Sequence, residues 1–207
     1  MTQYILPKKA ITNTFLVNVY KTLIIIYSFY ISFTAPVFAL DAEAPLGGQS
    51  FTQILFDDTA ALARESVQKQ ATLDLERTEK IRSYYARYNL PLQHEAEHFI
   101  TAANKYDIDW RLVAAIGFIE STGGKFACKT ADYSAFGWGS CKIDFDSYAE
   151  SIDVISMNLG GHNPNTAQYY AGKDVKGILN MYNPNHIRAN YDAMVMKQME
   201  IIESQEV

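Results

Sequence analysis

The run Leu112-Val113-Ala114-Ala115-Ile116-Gly117-Phe118-Ile119 is apolar or small at every position, ends in Glu120, and is cut off at once by Ser121-Thr122-Gly123-Gly124. The pattern predicts a helix over about 109–121 that stops where small residues and two glycines follow. Stepping back three, four and seven residues from Glu120 reaches Gly117, Ile116 and Val113, so the carboxyl shares a face with small and apolar groups, not with Arg111. Desolvation on that face favours the neutral acid, and so does the negative end of the helix dipole. A carboxyl kept protonated near neutral pH is what a general acid needs to protonate a glycosidic oxygen. Gly117, one turn back, leaves room for a substrate or another backbone. A helix-end glutamate turned to solvent fits the same pattern.

The 207 residues have room for one modest domain with appendages. Lys8, Lys9 and Lys21 precede an apolar run from about Thr22 to Leu40, with no acidic residue before Asp41. Val37-Phe38-Ala39 offers small residues where a signal peptidase reads, so cleavage after Ala39 is expected; an uncleaved membrane anchor is the rival. Either way the rest of the chain is expected outside the cytoplasmic membrane: secreted, periplasmic, cell-wall associated or anchored. Residues 1–39 hold three of the 18 Lys+Arg and none of the 23 Asp+Glu, which leaves 15 basic against 23 acidic residues, a net of −8. That balance argues against nucleic acid as a ligand, because phosphate binding needs a basic footprint. A neutral polymer such as a glycan fits the charge better.

The two cysteines, Cys128 and Cys141, both follow Glu120. In an exported protein an isolated pair is most simply a disulfide, worth roughly 3 kcal/mol for so short a loop. It would brace Asp132, Tyr133, Phe136 and Trp138 inside the loop. Two independent buried thiols are the alternative, and two cysteines are too few for a structural zinc site.

The chain divides into a signal peptide or anchor (1–39), a linker and spacer helix (40–82) and a compact domain (83–205). Pro45, Gly47 and Gly48 mark the linker. From about Phe51 to Tyr88 the composition favours helix without a sustained heptad, a stalk rather than a coiled coil. Asn89-Leu90-Pro91 interrupts it, and Pro91 is suited to open the next helix. Helices are expected over about 91–105, 109–121, 147–160, 172–181 and 187–203, with Asp109 and Asp146 as N-caps. No alternating strand pattern of useful length occurs, although Ala135 to Phe145 could hold a short hairpin. The fold class is mainly α.

His94-Glu95-Ala96-Glu97-His98 satisfies the H-E-x-x-H zinc pattern, with Glu120 downstream where a third ligand could sit. Yet Ala96, Phe99, Ile100, Ala103 and Tyr106 define the apolar face of that helix, and the two histidines fall almost opposite. A zinc protease is therefore the weaker reading. His162 and His186 lie in Asn/Pro/Gly-rich segments and read as loop residues. Tyr133, Phe136, Trp138, Tyr148, Tyr169, Tyr170, Tyr182 and Tyr191 crowd the second half of the domain. Any one of them is most simply core; as a set near an acid they suit sugar rings, whose C–H faces pack on aromatic planes.

Ala102-Ala103-Asn104-Lys105-Tyr106-Asp107-Ile108-Asp109-Trp110, Ala114-Ala115-Ile116, Glu120-Ser121-Thr122-Gly123-Gly124-Lys125 and Ala135-Phe136-Gly137-Trp138 together resemble the lysozyme-like superfamily. The nearest likeness is to bacterial endo-β-N-acetylglucosaminidases and soluble lytic transglycosylases, over roughly 83–203. The resemblance implies a lysozyme-like helical domain that cuts peptidoglycan or a related amino-sugar polymer. It implies Glu120 as the catalytic acid, Phe136, Gly137 and Trp138 along the cleft, and an assisting tyrosine late in the domain, Tyr182 first and Tyr191 second. Ser121 of the motif and Tyr133, Tyr169 and Tyr191 of the aromatic set complete the expected substrate-binding residues. A G-L-M-Q stretch is missing, and Asn183-Pro184 stands where Asn-Ala-Gly would be expected. No second carboxylate is assigned; Asp132, Asp144 and Asp146 are near only in sequence. No metal or cofactor is expected, the membrane is met only through the N-terminal segment, and a monomer is expected. A non-catalytic glycan-binding module on the same fold is the alternative.

Overall fold

The structure, a computed structural model, describes residues 51–207, with side chains described from Thr59 onward. The expected signal or anchor segment (1–39) and most of the linker lie outside the described residues. Among the described residues there are seven α-helices and no strand: α1 (Phe51–Ala86), α2 (Ala96–Tyr106), α3 (Leu112–Ser121), α4 (Tyr148–Leu159), α5 (Ala167–Tyr170), α6 (Val175–Tyr182) and α7 (Tyr191–Glu203). None of them is long and apolar enough to cross a membrane.

Helix α1 contains neither glycine nor proline, and its 36 residues span about 54 Å. The expected division at residues 82 and 83 falls inside it. Residues 59–72 are exposed, whereas Ile81, Tyr84 and Tyr85 are core residues. Tyr85 donates to the Ala114 carbonyl at 2.6 Å, and Tyr84 to Gln198 Oε1 at 2.7 Å. The last turns of the spacer helix are thus part of the domain. A charged cluster joins the same elements: Lys80 meets Glu203 at 3.1 Å, and Arg111 meets Glu203 at 3.2 Å.

Pro91 does open the next element, but as a 3-10 turn, Pro91–Glu95, before α2 begins. Helix α3 is the centre of the core, with Leu112, Val113, Ala114, Ala115 and Ile116 all buried. It packs chiefly on α7, through Tyr191, Val195, Met199 and Ile202, while α2 packs on α4. An apolar helix needs such cover on several sides, which explains its central place.

Two expected caps shift. Asp109 does not cap α3; its carboxylate accepts from the Arg111 backbone N–H at 3.0 Å and from Arg111 Nη2 at 2.6 Å, closing a local turn. Ser147, not Asp146, caps α4, accepting from the Glu150 N–H at 3.1 Å, while Glu150 Oε2 accepts from the Asp146 N–H at 2.5 Å. That reciprocal pair is close to a capping box. The hairpin expected over 135–145 is absent: a 3-10 turn, Trp138–Cys141, occupies the segment. Gly137, Gly139, Ser140 and Cys141 take φ of 63°, 61°, 58° and 59°, a left-handed path no strand can follow. The Cys128–Cys141 disulfide is formed and closes this loop, with Cα atoms 5.6 Å apart.

Candidate functional site

Glu120 occupies the last turn of α3, and the chain reverses immediately after Ser121. Thr122, Gly123 and Gly124 all have left-handed φ, of 50°, 62° and 87°. Such a run suits glycine, and Thr122, being β-branched, is a true outlier there. Outliers of this kind persist where the surroundings over-determine them, often at functional sites. Here the surroundings are explicit. Ser121 is buried; its hydroxyl donates to the Gly117 carbonyl at 3.1 Å and accepts from the Gly124 N–H at 2.9 Å. Ser121 therefore shapes the turn that ends α3 and does not line the cleft.

The Glu120 side chain is half-buried. Its Oε1 accepts a hydrogen bond from the Tyr191 hydroxyl at 2.5 Å. Its Oε2 lies 3.7 Å from where a Cβ on Gly137 would stand. Burial holds its carboxyl above the ordinary carboxylate range, while the Tyr191 hydrogen bond and the charge of Arg188 pull the other way without cancelling it. Tyr191, buried at the start of α7, is itself pushed far above the usual phenol range, first by burial and then by Tyr182 and Glu120. It stays a neutral donor.

Around the carboxyl opens a cavity of about 490 Å³, lined by Glu120, Phe136, Gly137, Trp138, Gly139, Ser140, Tyr182 and Asn183. Two further rings back the Trp138 and Tyr182 that line it. Tyr182 stacks on Tyr191 with centroids 6.0 Å apart and lies 5.8 Å from Trp138, which in turn meets Tyr170 at 6.4 Å. The Tyr182 hydroxyl donates to the Phe136 carbonyl, tying α6 to the disulfide loop. Phe136 enters by its backbone more than its ring, which is buried against α3. A Cβ on Gly117 would come within 3.0 Å of that ring, so the space at Gly117 is filled by protein, not substrate.

Comparison with known proteins finds no family model, no curated protein and no solved structure that matches this chain. The site therefore has to be read from its own geometry.

The structure brings Glu120, Phe136, Gly137, Trp138, Tyr182 and Tyr191 together; of the two late tyrosines, Tyr191 touches the Glu120 carboxyl and Tyr182 bonds the loop. Tyr133 and Tyr169 do not join them. Tyr133 is 47% exposed and meets Tyr148 edge-on, and Tyr169 is 46% exposed while its neighbour Tyr170 turns in toward Trp138. Asp132, Asp144 and Asp146 do not line the cavity either; Asp144 Oδ1 accepts from the Asp132 N–H at 2.9 Å and ties the loop to itself. Among the described residues lining the cavity, Glu120 is the sole carboxylate.

The H-E-x-x-H residues are differently placed. His94 stands in the 3-10 turn and His98 on α2, both exposed, and His98 Nδ1 meets Glu95 Oε2 at 2.9 Å. No group of three His, Cys, Asp or Glu side chains able to hold a metal gathers among the described residues. Sequence reasoning misses Ser140 and Asn183, which line the cavity, and Arg188, which lies over the Tyr191 ring. Of these only Asn183 stands out in the sequence, beside Pro184.

Proposed function

We propose that the protein cleaves the β-1,4 bond between amino sugars of peptidoglycan or a related polymer, with Glu120 as the general acid. The observation that carries this reading is the half-buried Glu120 carboxyl, raised by burial and held by Tyr191, opening on a cavity walled by Trp138 and Tyr182. A sugar ring packed on the Trp138 face would bring its glycosidic oxygen to the carboxyl, and the proton on Glu120 would pass to that oxygen as the bond breaks. The positive charge growing on the sugar would be met by the carboxylate left behind.

The lone acid narrows the second half of the reaction. A two-carboxylate glycosidase needs its partner acid within about 5–10 Å, and Glu120 is the sole carboxylate among the described residues lining this cavity. A ring hydroxyl or the acetamido group of the substrate would then close on the cationic carbon, as in the lytic transglycosylases and substrate-assisted hydrolases that the Glu120–Trp138 motifs resemble. The lysine-bearing, apolar N-terminal run supports action outside the cytoplasmic membrane.

Digestion of purified peptidoglycan followed by mass spectrometry tests the reading. Anhydro ends, reducing N-acetylglucosamine and reducing N-acetylmuramic acid distinguish the three outcomes. Glu120→Gln should abolish product and retain glycan binding. Binding without product from the wild-type chain would sink the enzyme and leave a glycan-binding module.

A further inference from the structure

A general acid that gives up its proton leaves a carboxylate in a half-buried site, and no lysine or arginine forms an ion pair with Glu120 among the described residues. We propose that Arg188 is the positioning residue that fills this role, its guanidinium lying over the Tyr191 ring to hold both that phenol and the ionised Glu120 carboxylate in place. This rests on the reading of Glu120 as the acid.

Three observations carry it. Arg188 Cζ lies 5.6 Å from the centroid of the Tyr191 ring, and the hydroxyl of that ring makes the 2.5 Å bond to Glu120. Arg188 is half-buried and, among the described residues, has no carboxylate within ion-pair distance, whereas Arg77, Arg82 and Arg111 each have one. The exposed Arg64 and Arg87 form no ion pair there either, and Arg87 lies over Tyr88; what sets Arg188 apart is that it is half-buried and that the ring beneath it touches the acid. Arginine suits the place, because its flat, weakly hydrated cation stacks on aromatic faces better than an ammonium does.

The other groups facing Glu120 cannot supply the charge. Tyr191 of α7 and Tyr182 of α6 are phenols that burial keeps neutral. The 136–140 loop contributes no ionisable side chain to the cavity, and Tyr148 of α4 faces the Gly124 turn. Arg188 acts on Glu120 and on Tyr191 in the same sense, favouring the anion of each. It therefore opposes burial at the acid without overcoming it. The result is a carboxyl that burial still holds above the ordinary range, with a cation nearby to steady the anion once the proton has gone.

The test compares the full chain with Arg188→Met, which keeps the stem and removes the charge, and Arg188→Lys, which keeps the charge. Infrared difference spectra against Glu120→Gln read the Glu120 titration directly, with no need for turnover. The Glu120 midpoint should move up in Arg188→Met and return most of the way in Arg188→Lys. In the digestion assay the alkaline limb of kcat/KM should move to higher pH in Arg188→Met, with kcat falling about tenfold, the size of one modest lost interaction. An unchanged midpoint in a folded Arg188→Met chain overturns the proposal; so does full recovery in the neutral Arg188→Gln. Should every variant, wild type included, prove inactive, the glycosidase reading falls while the infrared titration still decides the role of Arg188.

Discussion

Replacing Gly123 by alanine tests how tightly the turn beneath Glu120 is specified. The added Cβ would stand 2.8 Å from Tyr85 Cδ1, 2.9 Å from Tyr85 Cε1 and 2.9 Å from Leu90 Cδ1. Neither neighbour can step aside cheaply. Both are buried, Tyr85 is pinned through its hydroxyl to the Ala114 carbonyl at 2.6 Å, and its ring packs between those of Tyr84 and Phe99. A left-handed alanine costs about 1–2 kcal/mol and the overpacking a further 1–3 or so, giving about 2–5 kcal/mol. Gly172 is the internal control: its φ is +70°, yet nothing lies within 4 Å of its added Cβ. Gly172→Ala therefore carries the conformational cost without the clash, and the lower entropy of the unfolded alanine chain offsets both variants equally. Urea unfolding followed by far-UV circular dichroism, with the disulfide intact, should place Gly123→Ala below Gly172→Ala by about 1–3 kcal/mol. In a thermal scan this is about 2–12 °C, at the few degrees per kcal/mol of a domain this size. Equal stabilities would refute the clash, and with it the claim that this turn fixes where the carboxyl stands.

Glu120 has a folded pKa above its unfolded value, so the native state binds the extra proton between the two, and stability falls as pH rises through that window. Glu120→Gln should therefore gain on the wild type as pH is raised from about 4, levelling off above the folded pKa; urea midpoints at a series of pH values read this, and parallel curves would contradict it. Replacing Cys128 and Cys141 together by serine should cost about 3 kcal/mol on the chain-entropy model and weaken glycan binding, because Gly137 and Trp138 sit inside the closed loop. Calorimetry with and without a dithiol reductant checks the first, and a glycan pull-down the second; an unchanged melting temperature would show that the loop is held by other means.

Much of the helical layout was legible because helices advertise themselves locally. The α3 stop was visible in Thr122-Gly123-Gly124, and the α1 stop in Asn89-Leu90-Pro91. Errors arose where two local signals tied. Asp146 and Ser147 are both competent caps, and Glu150, three residues beyond Ser147, breaks the tie through its side chain. That signal is present in the sequence. The contact of Tyr191 with the acid is of another kind: the start of α7 comes beside the end of α3 only through long-range packing, and no periodicity within either segment reveals it. Which of Tyr169 and Tyr170 turns inward is hidden for a related reason, since a helix of four residues is too short to display a buried face. Arg188 carried no local signal at all; its meaning comes from the ring beneath it.

Helix α1 has a mechanical consequence. With no glycine or proline between Phe51 and Ala86, it offers no hinge, and its last turns are anchored in the core at Ile81, Tyr84 and Tyr85. It is a lever and not a tether. A load on the exposed turns between Thr59 and Thr72 reaches Tyr85, and through Tyr85 the Ala114 carbonyl of α3, the same rod that bears the carboxyl six residues on. The stalk and the acid are thus joined by one hydrogen bond between two helices.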